Sequence, residues 1–149
     1  MKARERARDI RAAALVELRR MSETGRGAQT LPWLFHRCAE EPALMRLHVW
    51  QVSQAIYGLS DKAAKHQVRT AARWCGTDLP KPGNATLAWL LDGRTDGARL
   101  SAWLLAVALD LGYRLKGPDP YHVQPASTPA AAVPSLHQTV HSDTPHAAA

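Results

Sequence analysis

Hydrophobic residues recur every three or four positions through most of the first 111 residues, which is the spacing of one face of an α-helix. In the first segment the spaced apolar residues are Ile10, Ala14, Leu18 and Met21. In the last segment the expected core face consists of Leu100, Trp103, Leu104, Val107 and Leu111. Few segments alternate with the period of two that a strand requires. The sequence therefore predicts an all-α fold of about six short helices.

Glycines, prolines and capping residues divide this pattern into separate helices. The predicted helices cover residues 4–21, 30–38, 42–57, 61–75, 84–91 and 96–111. Thr30 is expected to cap the second helix, Ser60 or Asp61 the fourth, and Asp96 the last. Gly58 is expected to end the third helix, because glycine readily adopts the left-handed conformation found after helix C-termini. The five tryptophans fall in or beside these helices and are expected to pack in the core.

The predicted helix 61–75 has two different sides. Lys62, Lys65, Arg69 and Arg73 follow helical spacing on one side, and Ala64, Val68, Ala72 and Cys75 on another. Like charges at this spacing repel by roughly 0.2–0.5 kcal/mol per pair, and only Asp61 lies close enough in sequence to offset them. The four cations therefore predict contacts with nucleic-acid phosphates, with a merely solvated basic face as the alternative.

The turn before this helix is a candidate anion site. Gly58 lies just ahead of a helix N-terminus, where free backbone N–H groups and the helix dipole attract a phosphate. Asp61 at the same terminus opposes such binding by its negative charge. The predicted DNA-binding patch also includes Arg46 and His48 at the start of the preceding helix, and His66 within the basic helix. A neighbouring run of phosphates is expected to meet Arg4, Arg6, Arg8 and Arg11.

Three motifs follow one another between residues 30 and 65. A Thr30-Leu31 pair opens the second helix, and residues 46–49 read Arg-Leu-His-Val at the start of the third. That helix ends in Gly58, and a short link leads into the basic helix. In this order, after a long charged N-terminal helix, the motifs resemble the actinobacterial integration host factor family of nucleoid-associated proteins. The two helices with their short link resemble the helix-two-turn-helix motif of that family.

The link agrees with the family in part. Residues 58–64 read Gly-Leu-Ser-Asp-Lys-Ala-Ala, where the family usually carries Gly-Val-Gly-Lys-Val-Arg-Ala. Gly58, Ala64 and Lys65 match the family, while Ser60, Asp61 and Ala63 replace a glycine, a lysine and an arginine. The resemblance implies binding of double-stranded DNA with little sequence preference and with bending. It also implies a role in chromosome organisation or phage integration.

The charge of the chain favours a polyanionic partner. Nineteen Lys and Arg residues face thirteen Asp and Glu residues, for a formal net charge of +6 and a pI near 9.8. All nineteen basic residues lie within residues 1–116, which hold eleven acidic residues and so carry a net charge of +8. Such a balance is typical of proteins that bind nucleic acid, with improved solubility alone as the alternative.

Residues 117–149 differ in composition from the rest of the chain. They are rich in Pro, Ala, Ser, Thr and His, contain neither Lys nor Arg, and show no helical or strand periodicity. Such a segment cannot offset the entropy of its own ordering. We therefore predict a charged N-terminal helix and link (1–29), a helical DNA-binding domain (30–116) and a disordered tail (117–149). A metal site among His122, His137, His141 and His146 is a weaker hypothesis, because their spacing is irregular.

Several functional classes lack their usual signals. The charged N-terminus has no signal-peptide core, and no apolar run approaches the roughly 20 residues of a membrane helix. We therefore expect a cytoplasmic, nucleoid-associated protein with reduced cysteines. Cys38 and Cys75 form no CxxC pair, and neither a glycine-rich nucleotide loop nor a positioned nucleophile is evident. The sequence thus predicts no catalysis, no cofactor, no metal and no small-molecule substrate.

Three other functions stay open. A sequence-specific helix-turn-helix repressor would read base edges with side chains such as His66 and Gln67 of the basic helix. A protein-interaction module would dock through the apolar helix from Leu100 to Leu111. RNA binding is the third, because related two-turn motifs suit any phosphate backbone. The oligomeric state is open as well.

Overall fold

The computed structural model of the chain describes residues 1–114, which form one compact unit. Its six α-helices are α1 (Lys2–Glu23), α2 (Thr30–Glu40), α3 (Val49–Tyr57), α4 (Asp61–Trp74), α5 (Leu87–Leu90) and α6 (Ala98–Asp110). Short 3₁₀ turns at Gly27–Gln29, Pro42–Arg46, Pro82–Asn84 and Gly93–Thr95 join several of them. No strand occurs in the described range, so the all-α prediction is confirmed. The predicted tail, residues 117–149, lies outside the described residues.

The helices enclose one hydrophobic core. Helix α1 packs on α3 and α2, α3 packs on α4, and α4 packs on α6, so the predicted segment 1–29 shares the core of the segments that follow it. Fully buried core side chains include Leu18, Leu34, Val52, Val68 and Trp103. Each such side chain stabilises the fold by roughly 1.5–3 kcal/mol relative to an exposed position. None of the helices within residues 1–114 has the length and apolar character needed to cross a membrane.

The predicted third helix, 42–57, is wrong in its first half. Pro42–Arg46 form a 3₁₀ turn, and Leu47 and His48 are extended, with ψ angles of 137° and 136°. The extended pair bonds to a distant segment, because Val49 N donates to Ala85 O and Leu87 N donates to Leu47 O, each at 2.9 Å. These long-range hydrogen bonds hold Leu47 and His48 in an extended conformation, although the local sequence pattern predicts a helix there. Only the remainder, Val49–Tyr57, is helical.

The same pairing shortens the predicted helix 84–91. Asn84 closes a 3₁₀ turn, and Ala85 and Thr86 are extended beside the His48 segment. Helix α5 begins only at Leu87, after Thr86, whose Oγ1 accepts a hydrogen bond from Trp89 N at 3.4 Å. Thr86 therefore caps α5, although the sequence pattern predicts that it lies within the helix.

The predicted caps have mixed outcomes. Ser60 caps α4, since its Oγ accepts a hydrogen bond from Ala63 N at 3.2 Å. Thr30 does not cap α2, because it is the first helical residue and its Oγ1 donates to Gly27 O at 2.6 Å. Asp96 does not cap α6 either: it is left-handed, with φ of 49°, and the N-cap is the next residue, a glycine.

The predicted core face of the last helix is only partly buried. Trp103 and Val107 are buried, and Leu100 packs partly against the core. Leu104 and Leu111, however, are 36% and 55% exposed. Helix α6 packs mainly on α4, which covers one side of it and leaves these two leucines on the other.

Candidate nucleic-acid interface

Helix α4 presents a row of cationic and imidazole side chains, which we call the α4 stripe. The α4 stripe consists of Lys62, His66, Arg69 and Arg73, all of them exposed. The opposite side of the helix is buried through Ala64, Val68 and Ala71. The small residues let α4 pack closely against α3 and α6, so the larger basic side chains point outward. The two-sided arrangement expected from the helical spacing is therefore present.

The cations of the α4 stripe have no acidic partners in the described part of the chain. Within residues 1–114, the side chains of Lys62, Arg69 and Arg73 make no ion pair and no hydrogen bond. His66 has only a long contact, 3.5 Å, between its Nε2 and Thr70 Oγ1. Two exposed arginines elsewhere differ, since Arg20 pairs with Glu17 at 2.6 Å and Arg94 pairs with Asp92 at 2.7 Å. Other exposed arginines also lack an ion pair in the described part of the chain, among them Arg4, Arg6, Arg8, Arg19 and Arg46. The α4 stripe can therefore contact an external anion without first breaking an internal pair.

Lys65 is separate from the α4 stripe. Its Nζ lies 2.9 Å from the Asp61 carboxylate and 4.8 Å from the centroid of the Trp50 ring. Its aliphatic chain lies close to Gly83, where a Cβ would come within 3.2 Å of Lys65 Cε. Lys65 therefore links α4 to α3 and to the 3₁₀ turn before α5. The sequence pattern predicts Lys65 in one row with the other three cations. Helical spacing alone does not show that Lys65 contacts residues of other elements.

A second basic surface, the arginine cleft, lies between α1 and the segment before α3. Its charged and polar lining comes from Arg8 and Arg11 of α1 and from Arg46, His48 and Gln51. No acidic side chain lines it. His48 Nδ1 is buried there without a hydrogen-bond partner, which costs about 1–3 kcal/mol unless a water or ligand supplies one.

The remaining N-terminal arginines do not line the arginine cleft. Arg4 and Arg6 are exposed on α1, and neither belongs to the lining residues. Arg6 is offset from Arg8 by two residues, about 200° around a helix of 3.6 residues per turn, and so points to another side of α1. Of the four arginines, Arg8 and Arg11 line the arginine cleft, and contact of all four with a neighbouring run of phosphates stays a prediction.

Trp50 joins the arginine cleft to α4. Its ring stacks on His48 with 6.5 Å between centroids and 19° between planes, and Lys65 Nζ lies over it. Its Nε1 donates to Gly83 O at 3.1 Å, which fixes the ring. Trp50 was expected only as a core residue, and no spacing in the sequence shows its contact with Lys65, fifteen residues away. Trp50 therefore lies between His48 of the arginine cleft and Lys65 of α4.

Gly58 turns the chain between α3 and α4. Its φ of +66° is left-handed, which confirms that it ends α3. A Cβ at this position would meet no atom within 4 Å, so the backbone conformation and not crowding requires glycine. At the α4 N-terminus that follows, Ser60 already caps Ala63 N, and Asp61 places a carboxylate in the first turn. The surroundings of Gly58 are therefore less open to a phosphate than the α4 stripe is.

Burial bears on the predicted base contact of Gln67 and on the predicted core packing of the tryptophans. Gln67 is buried, and its Nε2 donates to Asp110 Oδ2 at 2.9 Å, so it cannot read a base edge. Trp103 is a core residue, with its Nε1 donating to Ser53 Oγ at 3.2 Å. Trp33 and Trp89 pack at the edge of the core.

The cysteines lie apart from the basic surfaces. Cys38 is buried in the core, and burial raises the pKa of its thiol. Cys75 follows the last turn of α4 and is half-buried. Residues 1–114 contain no group of three or more His, Cys, Asp or Glu side chains that could hold a metal ion.

Comparison with known proteins identifies no relative of this chain. No protein-family model matches the chain, and no curated protein or solved structure is significantly similar to it. The resemblance to the actinobacterial integration host factor family rests on the residues quoted above.

Proposed function

We propose that this protein binds double-stranded DNA, mainly through the phosphates and with little sequence preference, in an architectural, nucleoid-associated role. The observation that carries the proposal is the α4 stripe. It holds three exposed cations that have no partner within residues 1–114. Unpaired cations in a row cost stability through mutual repulsion, which the binding of an anionic partner removes.

The length of the α4 stripe suits a phosphate backbone. Lys62 and Arg73 are eleven residues apart, which corresponds to about 16 Å along a helix. One DNA strand carries a phosphate every 3.4 Å or so of helix axis, so a row of this length can meet several. The arginine cleft supplies further cations beyond Trp50. A polyanion that contacts both surfaces meets six cations, three on each.

The chemistry of α4 favours backbone contacts over base reading. Of the two side chains considered for a sequence-specific repressor, Gln67 is buried against Asp110, which leaves His66. Lys62, Arg69 and Arg73 reach outward without hydrogen bonds that would fix their side chains within residues 1–114. Such side chains can contact phosphate oxygens in many geometries, whereas an arginine reads a guanine only when it is oriented for a bidentate contact.

The resemblance to the integration host factor family supports the proposal with one adjustment. The family-like link keeps Gly58 but has Ser60, Asp61 and Ala63 where the family carries phosphate-approaching residues. In this chain the phosphate contacts therefore move into α4, to Lys62 and Arg69. Nucleoid localisation and DNA bending belong to this proposal as consequences of the resemblance.

Binding to a panel of unrelated duplexes tests the proposal. We expect fluorescence anisotropy to give affinities within about tenfold of one another for 30-base-pair duplexes of different sequence at one salt concentration. One duplex bound about a thousandfold more tightly than the rest would support the sequence-specific repressor instead. Absence of binding to every duplex at low salt would reject the proposal, and tighter binding to duplex RNA would redirect it to RNA.

The interaction-module hypothesis stays a prediction. Leu104 and Leu111 are exposed on α6, as that hypothesis requires of its docking helix. Nothing in the described part of the chain identifies what would cover them.

A further inference from the structure

A second hollow lies beside the arginine cleft, between α1 and α3. The second hollow is lined by Leu15, Val16 and Arg19 of α1 and by Trp50, Gln51, Gln54 and Ala55 of α3. Leu15 and Gln51 line both hollows, so the two are neighbours along the seam between the helices. We call this pair of neighbouring hollows the α1–α3 groove.

The two ends of the α1–α3 groove have different chemistry. The arginine cleft is cationic, because Arg8, Arg11 and Arg46 line it together with His48. The second hollow combines apolar walls with the amide groups of Gln51 and Gln54 and with one cation, Arg19. No acidic side chain lines either end. One end therefore suits an anion, and the other suits a flat group with polar edges.

The amides of the second hollow are unoccupied hydrogen-bonding groups. Gln51 and Gln54 lie three residues apart and so share one side of α3. Both are half-buried, and neither side chain has a hydrogen-bond partner within residues 1–114. A glutamine amide carries both a donor and an acceptor, which is the combination that pairs with the edge of a nucleobase. Nearby, Val16 is 69% exposed and gives the rim an apolar surface.

The dimensions agree with a ligand of nucleotide size. The hollows measure about 320 and 440 Å³. Small-molecule sites are commonly about 300–1,000 Å³. A nucleotide has the matching polarity, because its phosphate is anionic and its base is flat with polar edges. A base inside a duplex cannot enter such a hollow, because it is stacked and its Watson–Crick edge is paired.

We propose that the α1–α3 groove binds a single unpaired nucleotide, with its phosphate in the arginine cleft and its base against Gln51 and Gln54. The site does not depend on duplex binding by the α4 stripe. DNA that carries an unpaired nucleotide beside a duplex offers a ligand to each of the two surfaces. The free nucleotide and the unpaired nucleotide of a strand share the chemistry that the groove recognises.

The first experiment measures a short single strand. A pentanucleotide with a dye at its 3′ end is titrated with the full chain, with the Gln51→Leu/Gln54→Leu variant and with Gln29→Leu. Leucine keeps the bulk of glutamine and removes its amide, and Gln29 is exposed outside the groove. We expect the double variant to bind the pentanucleotide at least tenfold more weakly, while Gln29→Leu binds it as the wild type does.

The same variants are compared on a fully paired duplex. The single variant Gln54→Leu, whose residue does not line the arginine cleft, should bind the duplex within twofold of the wild type. The double variant keeps all cations of both basic surfaces, so it should lose much less affinity for the duplex than for the pentanucleotide. Circular dichroism confirms that the variants are folded, so the single-strand result stands even where the wild type binds no duplex. Failure of the wild type to bind the pentanucleotide, or unchanged binding by the double variant, would overturn the proposal.

A competition experiment separates the two ends of the groove. Adenosine 5′-monophosphate is expected to displace the pentanucleotide, and inorganic phosphate at the same concentration is expected to leave most of it bound. Equal displacement by both would show that the base does not contribute, and the proposal would fail. Arg46→Ala should weaken direct binding of the labelled pentanucleotide, because its phosphate loses a cation of the arginine cleft, whereas Arg20→Ala, which removes an arginine from another side of α1, should not.

Discussion

Lys62 and Lys65 are three residues apart on α4, yet their side chains have different surroundings. Lys62 is exposed and makes no ion pair within residues 1–114, whereas Lys65 pairs with Asp61 and lies over the Trp50 ring. Helical spacing predicts that both face roughly the same way but says nothing about a tryptophan on another helix. The structure therefore assigns the two lysines to different tasks, packing for Lys65 and open contact for Lys62.

Alanine substitutions of these lysines form a matched pair. Lys65→Ala should lower the free energy of unfolding by about 1 kcal/mol, because it removes an exposed ion pair and a cation–π contact. Lys62→Ala should leave stability within about 0.5 kcal/mol of the wild type, as surface changes usually do. Urea unfolding measures both, and equal losses would contradict the separation of their roles.

Asp92 links protonation to stability near the N-terminus of α6. The Arg94 side chain hydrogen-bonds its carboxylate at 2.7 Å and holds the pKa of Asp92 at about 2. Because this pKa lies below its ordinary value of 3.8, the stabilisation is present above pH 3.8 and is lost as the pH falls towards 2. The melting temperature of Asp92→Asn should therefore lie below that of the wild type at neutral pH, with a gap that closes between pH 4 and 2.

Asp96→Asn is the control for this effect. The Asp96 side chain makes no ion pair or hydrogen bond in the described part of the chain. Its substitution should give a gap in melting temperature that does not change over the same pH interval. An Asp92→Asn gap that persists unchanged at pH 2 would contradict the role given to the Arg94 contact.

At the scale of elements, the link between α3 and α4 depends on one backbone conformation. Gly58 is left-handed, and the space around it is open. Gly58→Ala should therefore destabilise the fold by about 1–2 kcal/mol through strain alone, since a left-handed L-residue costs that much. Gly27→Ala is the control, because Gly27 has no positive φ and equally open space. Thermal or urea unfolding compares them, and similar small losses would show that the turn does not require glycine.

The sequence predicts some elements well and others poorly, for a physical reason. Helices α1, α2 and α4 begin and end within about two residues of their predicted bounds, because periodicity, Ser60 and Gly58 are local signals. The extended Leu47–His48 pair could not be predicted, since its partners lie at residues 85–87. The candidate site divides in the same way. The α4 stripe follows from spacing, whereas the Trp50–Lys65 contact and the α1–α3 groove need helices to be brought together.

At the scale of the whole molecule, six basic residues lie on two surfaces, three on the α4 stripe and three in the arginine cleft. Of the acidic residues near them, Asp61 is paired with Lys65, Asp78 lines a hollow together with Arg69 and Arg73, and none lines the arginine cleft. Because exposed charges are screened by salt, binding by such surfaces must weaken as ionic strength rises.

The salt dependence of duplex binding tests the central claim most directly. Fluorescence anisotropy with a random 30-base-pair duplex is measured across a salt series for the wild type and for Lys62→Ala/Arg69→Ala/Arg73→Ala. The matched control, Arg20→Ala/Arg26→Ala/Arg37→Ala, removes the same charge away from the α4 stripe. The account predicts that log affinity falls steeply with log salt, that the α4 variant lowers this slope by about three, and that the control leaves it nearly unchanged. Equal slopes for the wild type and the α4 variant, or equal losses in both variants, would contradict it.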